Sequence, residues 1–302
     1  MNDLYADKSE ITEEILDSFI SMLTAYTGII PRASHREGIR NYIIKKLSTS
    51  HISAKEYLSL LSTDSDAFTE FVNQSTVNET YFFREEKQFS ILKEVIFPKW
   101  RFGATGKASG KEIKMWSAAC SYGEEAYSLA VIALTCGLKP VVFASDINSE
   151  VLEHCKSGVF LGTSLRSVDG KLYQNLITQY RREDGRVAFP DRIKDCISTS
   201  ILNLSEIDSP QNLFLLPKEQ DVIFIRNVFI YFSLELRKKI LKIIAEQCLA
   251  DDGYLFVSMN EIAQLDSSIV PSSLEKIVNG NIFYFHKKTV KTGGIADGKS
   301  LK

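Results

Sequence analysis

The chain has 302 residues, of which 44% are hydrophobic and 25% charged, and its formal net charge is −2. Length and composition are typical of a soluble globular protein with one large or two moderate domains. The balanced charge gives no global bias toward nucleic acid or anionic membranes, which argues against general binding to either.

The N-terminal part of the chain is predicted to be helical. Apolar residues recur at helix spacing in four segments, and Ser53 with Glu56 forms a capping box at the start of the third. Short helices with short connections predict a small helical domain over residues 1–84. The predicted helices are Thr12 to Tyr26, about Ser34 to Leu47, a helix beginning at Ser53, and about Asp66 to Gln74.

A connecting helix and a linker follow this domain. The helix is predicted from about Glu85 to Phe97. The stretch from Gly103 to Gly110 is rich in glycine, serine and alanine, which is the composition of a linker. Residues 85–111 are therefore predicted to join the helical domain to a second domain.

From residue 112 to about 290 the pattern alternates between strands and helices. Such alternation predicts an α/β domain with a mostly parallel, doubly wound, Rossmann-like sheet. The predicted strands are Ile113 to Ala119, Val141 to Ser145, Asp221 to Ile225, Tyr254 to Ser258 and Ile282 to His286. The predicted helices are Glu124 to Thr135, Ser149 to Lys156 and Ser233 to Leu249, and a turn is predicted at Asp252-Gly253.

One segment breaks this alternation. The runs Arg186 to Phe189 and Arg192 to Ile197 flank Pro190-Asp191 and are typical of short antiparallel strands. We therefore predict a small antiparallel β insertion at about residues 180–199. The tail, residues 291–302, has no core-forming residues and is predicted to be disordered.

Cysteine and histidine usage predicts neither a disulfide framework nor a metal site. The five cysteines are an odd number without a C-x-x-C pair, and the four histidines are scattered. The acidic start of the chain does not resemble a signal peptide, and the most apolar stretch, Val222 to Phe232, is too short and polar to span a bilayer. These features predict a cytoplasmic protein with reduced thiols.

The loop after the first predicted strand, Trp116 to Glu125, has the features of a ligand site. In a doubly wound sheet, ligands bind where a strand turns into its helix. The loop lacks G-x-G-x-x-G and the Lys-Ser/Thr end of a P-loop. Glu124 and Glu125 open the helix instead, and carboxylates there suit a cationic ligand such as a sulfonium. Their favourable interaction with the helix dipole is the simpler alternative.

Two further positions point to the same cleft. Asp146 ends the second strand, where an acid can bind ribose hydroxyls or, alternatively, cap the next helix. Arg226 and Asn227 lie among large apolar side chains, where polar groups must be paired or face a cleft. We favour the cleft over a buried structural ion pair. The loop and Asp146 together indicate a nucleoside ligand.

The segment from Asn78 to Arg84 places polar residues among three successive aromatics. The aromatics alone are typical of core, but the polar residues are better explained if the segment folds over a polar ligand. This segment and four others resemble the CheR-type chemotaxis receptor methyltransferases, in the same order across nearly the whole chain. The motifs are Asn-x-Thr-x-Phe-Phe-Arg-Glu (78–85), Trp-Ser-Ala-Ala-Cys-x-x-Gly-Glu-Glu-x-Tyr-Ser (116–128), Ser-Asp-Ile (145–147), Asn-Leu (203–204) and Arg-Asn-Val-x-Ile-Tyr-Phe (226–232).

The resemblance implies a fold, a reaction and a set of site residues. The family has a small helical domain before an α/β methyltransferase domain with a β insertion. It uses S-adenosylmethionine to methylate glutamate side chains of methyl-accepting chemotaxis proteins, giving γ-glutamyl methyl esters and S-adenosylhomocysteine. By motif position, Arg84 and Tyr231 are implied to be catalytic. The residues implied to contact the cofactor are Asn78, Thr80, Arg84, Glu124, Asp146, Asn203, Leu204, Arg226 and Asn227.

The implied reaction is a direct displacement at the methyl group. Glutamate has a reference pKa of about 4.3 and is ionised at neutral pH, so no general base is required. Catalysis must then come from alignment and from the exclusion of water. We expect Arg84 to orient the substrate carboxylate and Tyr231 to help fix the acceptor and the methyl group.

Basic residues on the second predicted helix suggest a docking face. Arg36, Arg40, Lys45 and Lys46 could meet acidic receptor helices, although solvated side chains near a helix end are an equal alternative. In some relatives the β insertion binds a peptide from the receptor C-terminus, so the resemblance implies a second contact at 180–199. Neither nucleic acid nor membrane insertion is expected.

Other functions are compatible with the same residues. The chain could methylate a different protein or a small molecule, or bind S-adenosylmethionine as a regulator without catalysis. A nucleic-acid methyltransferase is less favoured, because the net charge is −2 and the Asn/Asp-Pro-Pro-aromatic signature of amino methylation is absent.

Overall fold

The structure, a computed structural model, describes residues 11–101, 112–165, 171–265 and 267–288. The predicted linker at 103–110 and the predicted tail at 291–302 lie outside these ranges. The domain boundaries at residues 84 and 112 stay predictions.

The first four helices form the predicted helical part of the chain. They are α1 (Glu13–Thr27), α2 (Ala33–Ser50), α3 (Ala54–Thr63) and α4 (Ser65–Gln74). The Ser53–Glu56 capping box is present as predicted, since each side chain bonds the other residue's backbone. Phe19, Tyr57 and Phe71 are fully buried and bring three of these helices around one aromatic core.

Among the described residues, nine further α-helices follow, two in the predicted connecting segment and seven in the α/β part of the chain. Two of them continue into π-helical stretches, at Leu92–Ile96 after α5 and at Ile244–Cys248 after α12. Within the described ranges, no helix combines the length and apolar composition that a bilayer crossing requires. These helices are α5 (Glu86–Ile91), α6 (Phe97–Arg101), α7 (Glu124–Thr135), α8 (Ser149–Ser157), α9 (Gln174–Thr178), α10 (Asp191–Lys194), α11 (Pro210–Leu215), α12 (Leu234–Ile243) and α13 (Met259–Ile262).

The main sheet has the strand order β5-β2-β1-β6-β7-β9-β8. The first five in this order are parallel, and β9 and β8 add antiparallel strands at one edge. The predicted mostly parallel sheet is thus confirmed. The strands are β1 (Glu112–Ala118), β2 (Lys139–Asp146), β3 (Val159–Phe160), β4 (Val187–Ala188), β5 (Ile197–Ile201), β6 (Gln220–Ile225), β7 (Leu249–Phe256), β8 (Leu274–Asn279) and β9 (Ile282–Lys287).

The central strands owe their parallel arrangement to burial on both faces. Every residue of β6 is buried, and α7 buries nine of its residues against the sheet. From β1 the chain passes to β2 on one side, whereas β6 lies on the other side of β1. The switch in strand order therefore falls at the carboxyl ends of β1 and β6, where such sheets bind ligands.

The predicted β insertion is present but smaller than expected. Its antiparallel sheet pairs β4 with β3, and a bridge joins Arg181 to Val187. The predicted second strand, Arg192 to Ile197, is wrong: α10 occupies Asp191–Lys194, and Ile197–Ile201 pairs with β2 as a parallel strand of the main sheet. The predicted turn at Asp252-Gly253 is also wrong, since it lies inside β7 where the pairing with β6 shifts register.

The helical part lies over the carboxyl edge of the sheet. Asn203 Nδ2 donates a hydrogen bond of 2.7 Å to the carbonyl of Tyr26, and Asn148 Nδ2 donates one of 2.8 Å to the carbonyl of Asn73. Gly28, which ends α1 with φ of 71°, allows this close approach, because a Cβ there would lie 2.4 Å from Leu236. The two parts of the chain thus enclose the space above β1, β2 and β6.

Candidate functional site

A cavity opens between the helical part and the carboxyl ends of β1, β2 and β6. The predicted site residues that line it are Asn78, Thr80, Arg84, Asp146, Arg226, Asn227 and Tyr231. Asn203 and Leu204 line an adjoining cavity that shares Asp146 and Ile147 with the first. The fold therefore brings together residues as far apart in the sequence as Asn78 and Tyr231.

The loop after β1 holds an unusual backbone conformation. Ala119 and Ser121 have φ of 57° and 51°, and Gly123 has φ of 104°. A Cβ at Gly123 would lie 2.4 Å from the Sγ of Cys155, so the start of α7 packs directly on α8. Left-handed non-glycine residues cost about 1–3 kcal/mol each and concentrate at functional sites. This loop turns sharply and leaves its backbone beside the cavity.

Asp146 lies at the end of β2 and is 7% exposed. Its Oδ2 accepts a hydrogen bond of 2.9 Å from the Ser121 N–H, and its Oδ1 accepts one of 3.0 Å from the Asn148 N–H. Burial raises the pKa of Asp146, and these hydrogen bonds work against that shift. Asn148 is the residue that caps α8, so the capping alternative for Asp146 does not hold. Its remaining lone pairs can bind hydroxyl groups.

The two acids at the start of α7 have different surroundings. Glu124 is 3% exposed, and its Oε1 accepts a hydrogen bond from the Ser164 hydroxyl at 2.7 Å. Its Oε2 is buried without a hydrogen-bond partner in the described parts of the chain, and burial raises the pKa of Glu124. Glu125, and not Glu124, lines the cavity. The predicted cofactor contact of Glu124 stays a prediction.

Arg226 is both a cavity residue and a buried ion-pair partner. Its Nε donates to Glu125 Oε2 at 2.7 Å, and its Nη1 donates to the Arg84 carbonyl at 2.7 Å and to Gln88 Oε1 at 3.0 Å. Its guanidinium lies 4.9 Å from the ring centre of Phe224, at cation–π distance. Arg226 therefore fits both interpretations made from the sequence, a residue that faces a cleft and a buried ion pair, because its ion pair with Glu125 forms one wall of the cavity.

Tyr231 reaches the cavity through the turn after β6. Asn227 begins this turn with φ of 58°, and Phe229–Tyr231 form a 3₁₀ turn. The Tyr231 ring is half-buried, which raises the pKa of its hydroxyl, and its centre lies 5.9 Å from that of the His35 ring. The Tyr231 carbonyl accepts a hydrogen bond from the Ile30 N–H at 2.8 Å. The turn is thereby tied to the helical part.

The segment from Asn78 to Arg84 combines core and site residues. Phe82 and Phe83 are buried in the hydrophobic core, as the core alternative requires. The Asn78 carbonyl accepts a hydrogen bond from the Ser121 hydroxyl at 3.1 Å, so the segment is joined to the loop after β1. Arg84 lines the cavity and donates from Nη1 to the Glu79 carbonyl at 2.7 Å. The segment therefore folds over the cavity with its core aromatics behind it.

Three of the four proposed docking cations have acidic partners within the helical part. Arg36 pairs with Glu13 at 3.0 Å and with Asp17 at 2.7 Å, and Lys46 pairs with Glu70 at 2.6 Å. Arg40 pairs with the same Glu13 and with Glu37. Lys45 is exposed on the same helix. These pairs reduce the positive field that the sequence alone suggested for this face.

The sequence interpretation misses His35, which lines the cavity, and two buried residues that bond cavity residues, Gln88 and Glu261. His35 Nε2 donates to the Ser75 carbonyl at 2.7 Å, while its Nδ1 is buried without a partner among the described residues. Gln88 and Glu261 hold Arg226 and Asn227 from positions far away in the chain. Glu261 had a detectable signal, because Ser258-x-x-Glu is a capping box directly after a strand. No local pattern marks His35 or Gln88.

The fold and the cavity define an α/β protein with a nucleoside-type site at the switch point of its sheet. The family model described as CheR methyltransferase, SAM binding domain, matches residues 78–275. The chemotaxis protein methyltransferase of Salmonella typhimurium is 32% identical over 242 residues, which cover 78% of this chain and 78% of the relative. The one of Escherichia coli is 31% identical, covering 78% and 79%. Chemotaxis protein methyltransferase 1 of Vibrio cholerae is 29% identical, covering 83% and 90%.

The chain belongs to the CheR methyltransferase family. It is an S-adenosylmethionine-dependent methyltransferase, which confirms the resemblance and the cofactor predicted from the motifs. The polar and apolar side chains that line the two cavities match the chemical groups of this cofactor. Asp146 offers buried acceptors for ribose, and the adjoining cavity offers the apolar side chains of Leu202, Leu204 and Phe232 for a base.

Proposed function

We propose that the chain methylates glutamate side-chain carboxylates of methyl-accepting chemotaxis receptors. The relatives are named chemotaxis protein methyltransferases. The observation that supports a carboxylate acceptor is the position of Arg84 and Tyr231 on the same cavity as Asp146. A guanidinium matches the planar geometry of a carboxylate and stays charged at every relevant pH.

The proposed cofactor site runs along the carboxyl edge of the sheet. Asp146 binds the ribose hydroxyls, and Asn203 and Leu204 flank the adenine in the adjoining cavity. The acids at the start of α7 face the positively charged methionine part, with Glu125 on the cavity wall and Glu124 behind it. Asn78 and Thr80 cover the site from the segment before α5, and Arg226 and Asn227 bound it after β6.

Bound S-adenosylmethionine supplies an electrophilic methyl group, and the chain supplies alignment. The acceptor glutamate is already ionised at neutral pH, so no residue has to remove a proton. Arg84 holds the carboxylate by charge-assisted hydrogen bonds, which fixes one oxygen toward the methyl group. Tyr231 borders the same space with its hydroxyl, and burial raises the pKa of that hydroxyl above its ordinary value. The products are a γ-glutamyl methyl ester and S-adenosylhomocysteine.

The proposed partners are the cytoplasmic helices of the receptors, which makes the chain a cytoplasmic protein. Lys45 is the exposed cation of the proposed docking face, whereas Arg36, Arg40 and Lys46 carry acidic partners. A receptor C-terminal peptide at the β insertion is a further proposal. The insertion offers a two-stranded antiparallel sheet, β3 with β4, as its support.

Methylation of a purified receptor cytoplasmic fragment tests this function. With a radiolabelled methyl donor, we expect base-labile label on the receptor, and mass mapping should place it on glutamates. Arg84→Ala should lower the methylation rate by about 100-fold with little loss of fold stability, because one positioned group is lost. Lys238→Ala, which removes an exposed cation on α12 outside the proposed sites, is the control and should keep the wild-type rate.

Two results would contradict the proposal. Full receptor methylation by Arg84→Ala would remove Arg84 from the reaction. Binding of S-adenosylmethionine by calorimetry, without turnover on any receptor fragment, would support a regulator instead.

A further inference from the structure

Glu261 is a buried carboxylate at the start of α13 and is 1% exposed. Its Oε2 accepts hydrogen bonds from the Asn227 N–H at 2.8 Å, the Ser258 hydroxyl at 2.7 Å and the Ser258 N–H at 3.3 Å. Its Oε1 accepts one from the Ile230 N–H at 3.1 Å. One side chain thus joins the end of β7 to the turn that carries Tyr231.

Helix capping accounts for only part of this geometry. The bonds between Glu261 and Ser258 complete the capping box of α13. The bonds to Asn227 and Ile230 instead reach a different loop, more than 30 positions earlier in the chain. Burying a carboxylate is costly unless hydrogen bonds replace the lost water. The Glu261 carboxylate accepts four hydrogen bonds, and the turn after β6 donates two of them.

The turn after β6 needs such an anchor. Asn227 has φ of 58°, a conformation that persists only where neighbouring groups hold it. The Glu261 carboxylate bonds the N–H of this residue and of Ile230, directly before Tyr231. The two bonds lie at the start and near the end of the turn. They therefore set both its direction and the place where the tyrosine ring enters the cavity.

We propose that Glu261 is a positioning residue for methyl transfer, which fixes the 227–231 turn so that Tyr231 faces the same cavity as Arg84. Glu261 itself does not line this cavity, so it acts through the turn. The inference rests on the proposed role of Tyr231 in methyl transfer. It assigns to the α13 capping segment a function in catalysis beyond the stability of the fold.

Two variants separate positioning from capping. In Glu261→Gln the amide oxygen can keep the three bonds from Ser258 and Asn227, but its NH₂ group then faces the Ile230 N–H, donor against donor. Ser258→Ala removes a capping hydroxyl and leaves both bonds to the turn in place. The first variant disturbs the turn and keeps most of the cap, and the second does the reverse.

The readouts are receptor methylation, S-adenosylhomocysteine binding by calorimetry and thermal unfolding. We expect Glu261→Gln to lower kcat by about 30-fold, since small misplacements of a reacting group cost up to about 100-fold. Its affinity for S-adenosylhomocysteine should change by less than about threefold, because the bond to Asn227 is kept and Asp146 and the loop after β1 are untouched. Ser258→Ala should keep its methylation rate within about threefold of wild type. Its Tm should fall at least as far as the Tm of Glu261→Gln, because a capping bond is lost.

A double-mutant cycle with Tyr231→Phe completes the test. If Glu261 acts through Tyr231, the double variant should be no slower than the slower single variant. Additive losses, or equal rates in Glu261→Gln and wild type, would overturn the inference. If Glu261→Gln does not fold, Glu261→Asp keeps the charge with a shorter reach, and an unchanged kcat there would also overturn it. Absence of receptor methylation by the wild type would instead refute the proposed function.

Discussion

Arg226 is a cation whose side chain is 2% exposed at the centre of the site. It pairs with Glu125, whose Oε1 also accepts a bond from the Ser117 hydroxyl, and it lies 4.0 Å from Glu85. Burial raises the pKa of Glu85, and Arg226 is the main influence that lowers it. A single buried guanidinium thus faces carboxylates from two different segments, Glu125 on α7 and Glu85 before α5.

Removal of this cation should destabilise the fold strongly. Arg226→Met keeps the approximate volume but leaves Glu125 without its partner, and breaking a buried pair from one side costs about 3–5 kcal/mol. Chemical denaturation of both proteins measures this loss. Lys139→Met, which breaks the exposed Lys139–Glu112 pair, is the control and should leave stability nearly unchanged. Equal effects of the two changes would show that burial of Arg226 has no energetic consequence.

Asp146 offers a separate test of the cofactor site. In Asp146→Asn, the side-chain NH₂ must face the N–H of Ser121 or of Asn148, because each carboxylate oxygen now accepts from one of them. We expect the affinity for S-adenosylhomocysteine to fall by at least about tenfold, or roughly 1.4 kcal/mol. Calorimetry measures it, with the exposed Asp195→Asn as control. Wild-type affinity in Asp146→Asn would exclude Asp146 from the ribose site.

At the scale of elements, local patterns predicted most helices and strands but not long-range pairing. The helix at Glu124–Thr135 matches its prediction at both ends, because glycine before it and apolar periodicity within it are local signals. The predicted insertion strand Arg192 to Ile197 is wrong, because the strand that forms there, Ile197–Ile201, pairs with β2, which no local pattern reveals since β2 begins 58 positions earlier. Five site motifs are visible in the sequence, whereas His35 reaches the cavity, and Gln88 reaches Arg226, only through tertiary packing.

The junction of β1 and α7 depends on one glycine. Gly123→Ala would strain a backbone with φ of 104° and place a Cβ 3.3 Å from the Cys155 Cα and closer to its side chain. We expect a loss of stability of about 1–3 kcal/mol, since the strained conformation and the contact act together. Gly137→Ala is the control, because its φ of 73° is also positive but nothing lies within 4 Å of the added Cβ. Equal Tm values for the two variants would show that packing against α8 is unimportant.

At the scale of the whole molecule, the helical part has two faces with different roles. One face covers the carboxyl edge of the sheet, where Asn73 and Tyr26 accept bonds from Asn148 and Asn203. The proposed docking cations lie on α2, and all of them except Lys45 form ion pairs within the helical part. If the receptor docks on α2 by charge, we expect Lys45 to contribute more than the ion-paired Arg36, Arg40 and Lys46.

Lys45→Ala tests this reduced docking face. We expect KM for a receptor fragment to rise about threefold at low ionic strength, as for the loss of one rim charge, with kcat unchanged. The difference should vanish by about 0.5 M salt, where screening acts over a few ångströms. Lys55→Ala, an exposed lysine on α3, is the matched control and should keep the wild-type KM. If both variants match the wild type at every salt concentration, α2 does not dock the receptor by charge, and the proposed contacts at the cavity around Arg84 and at the β insertion remain.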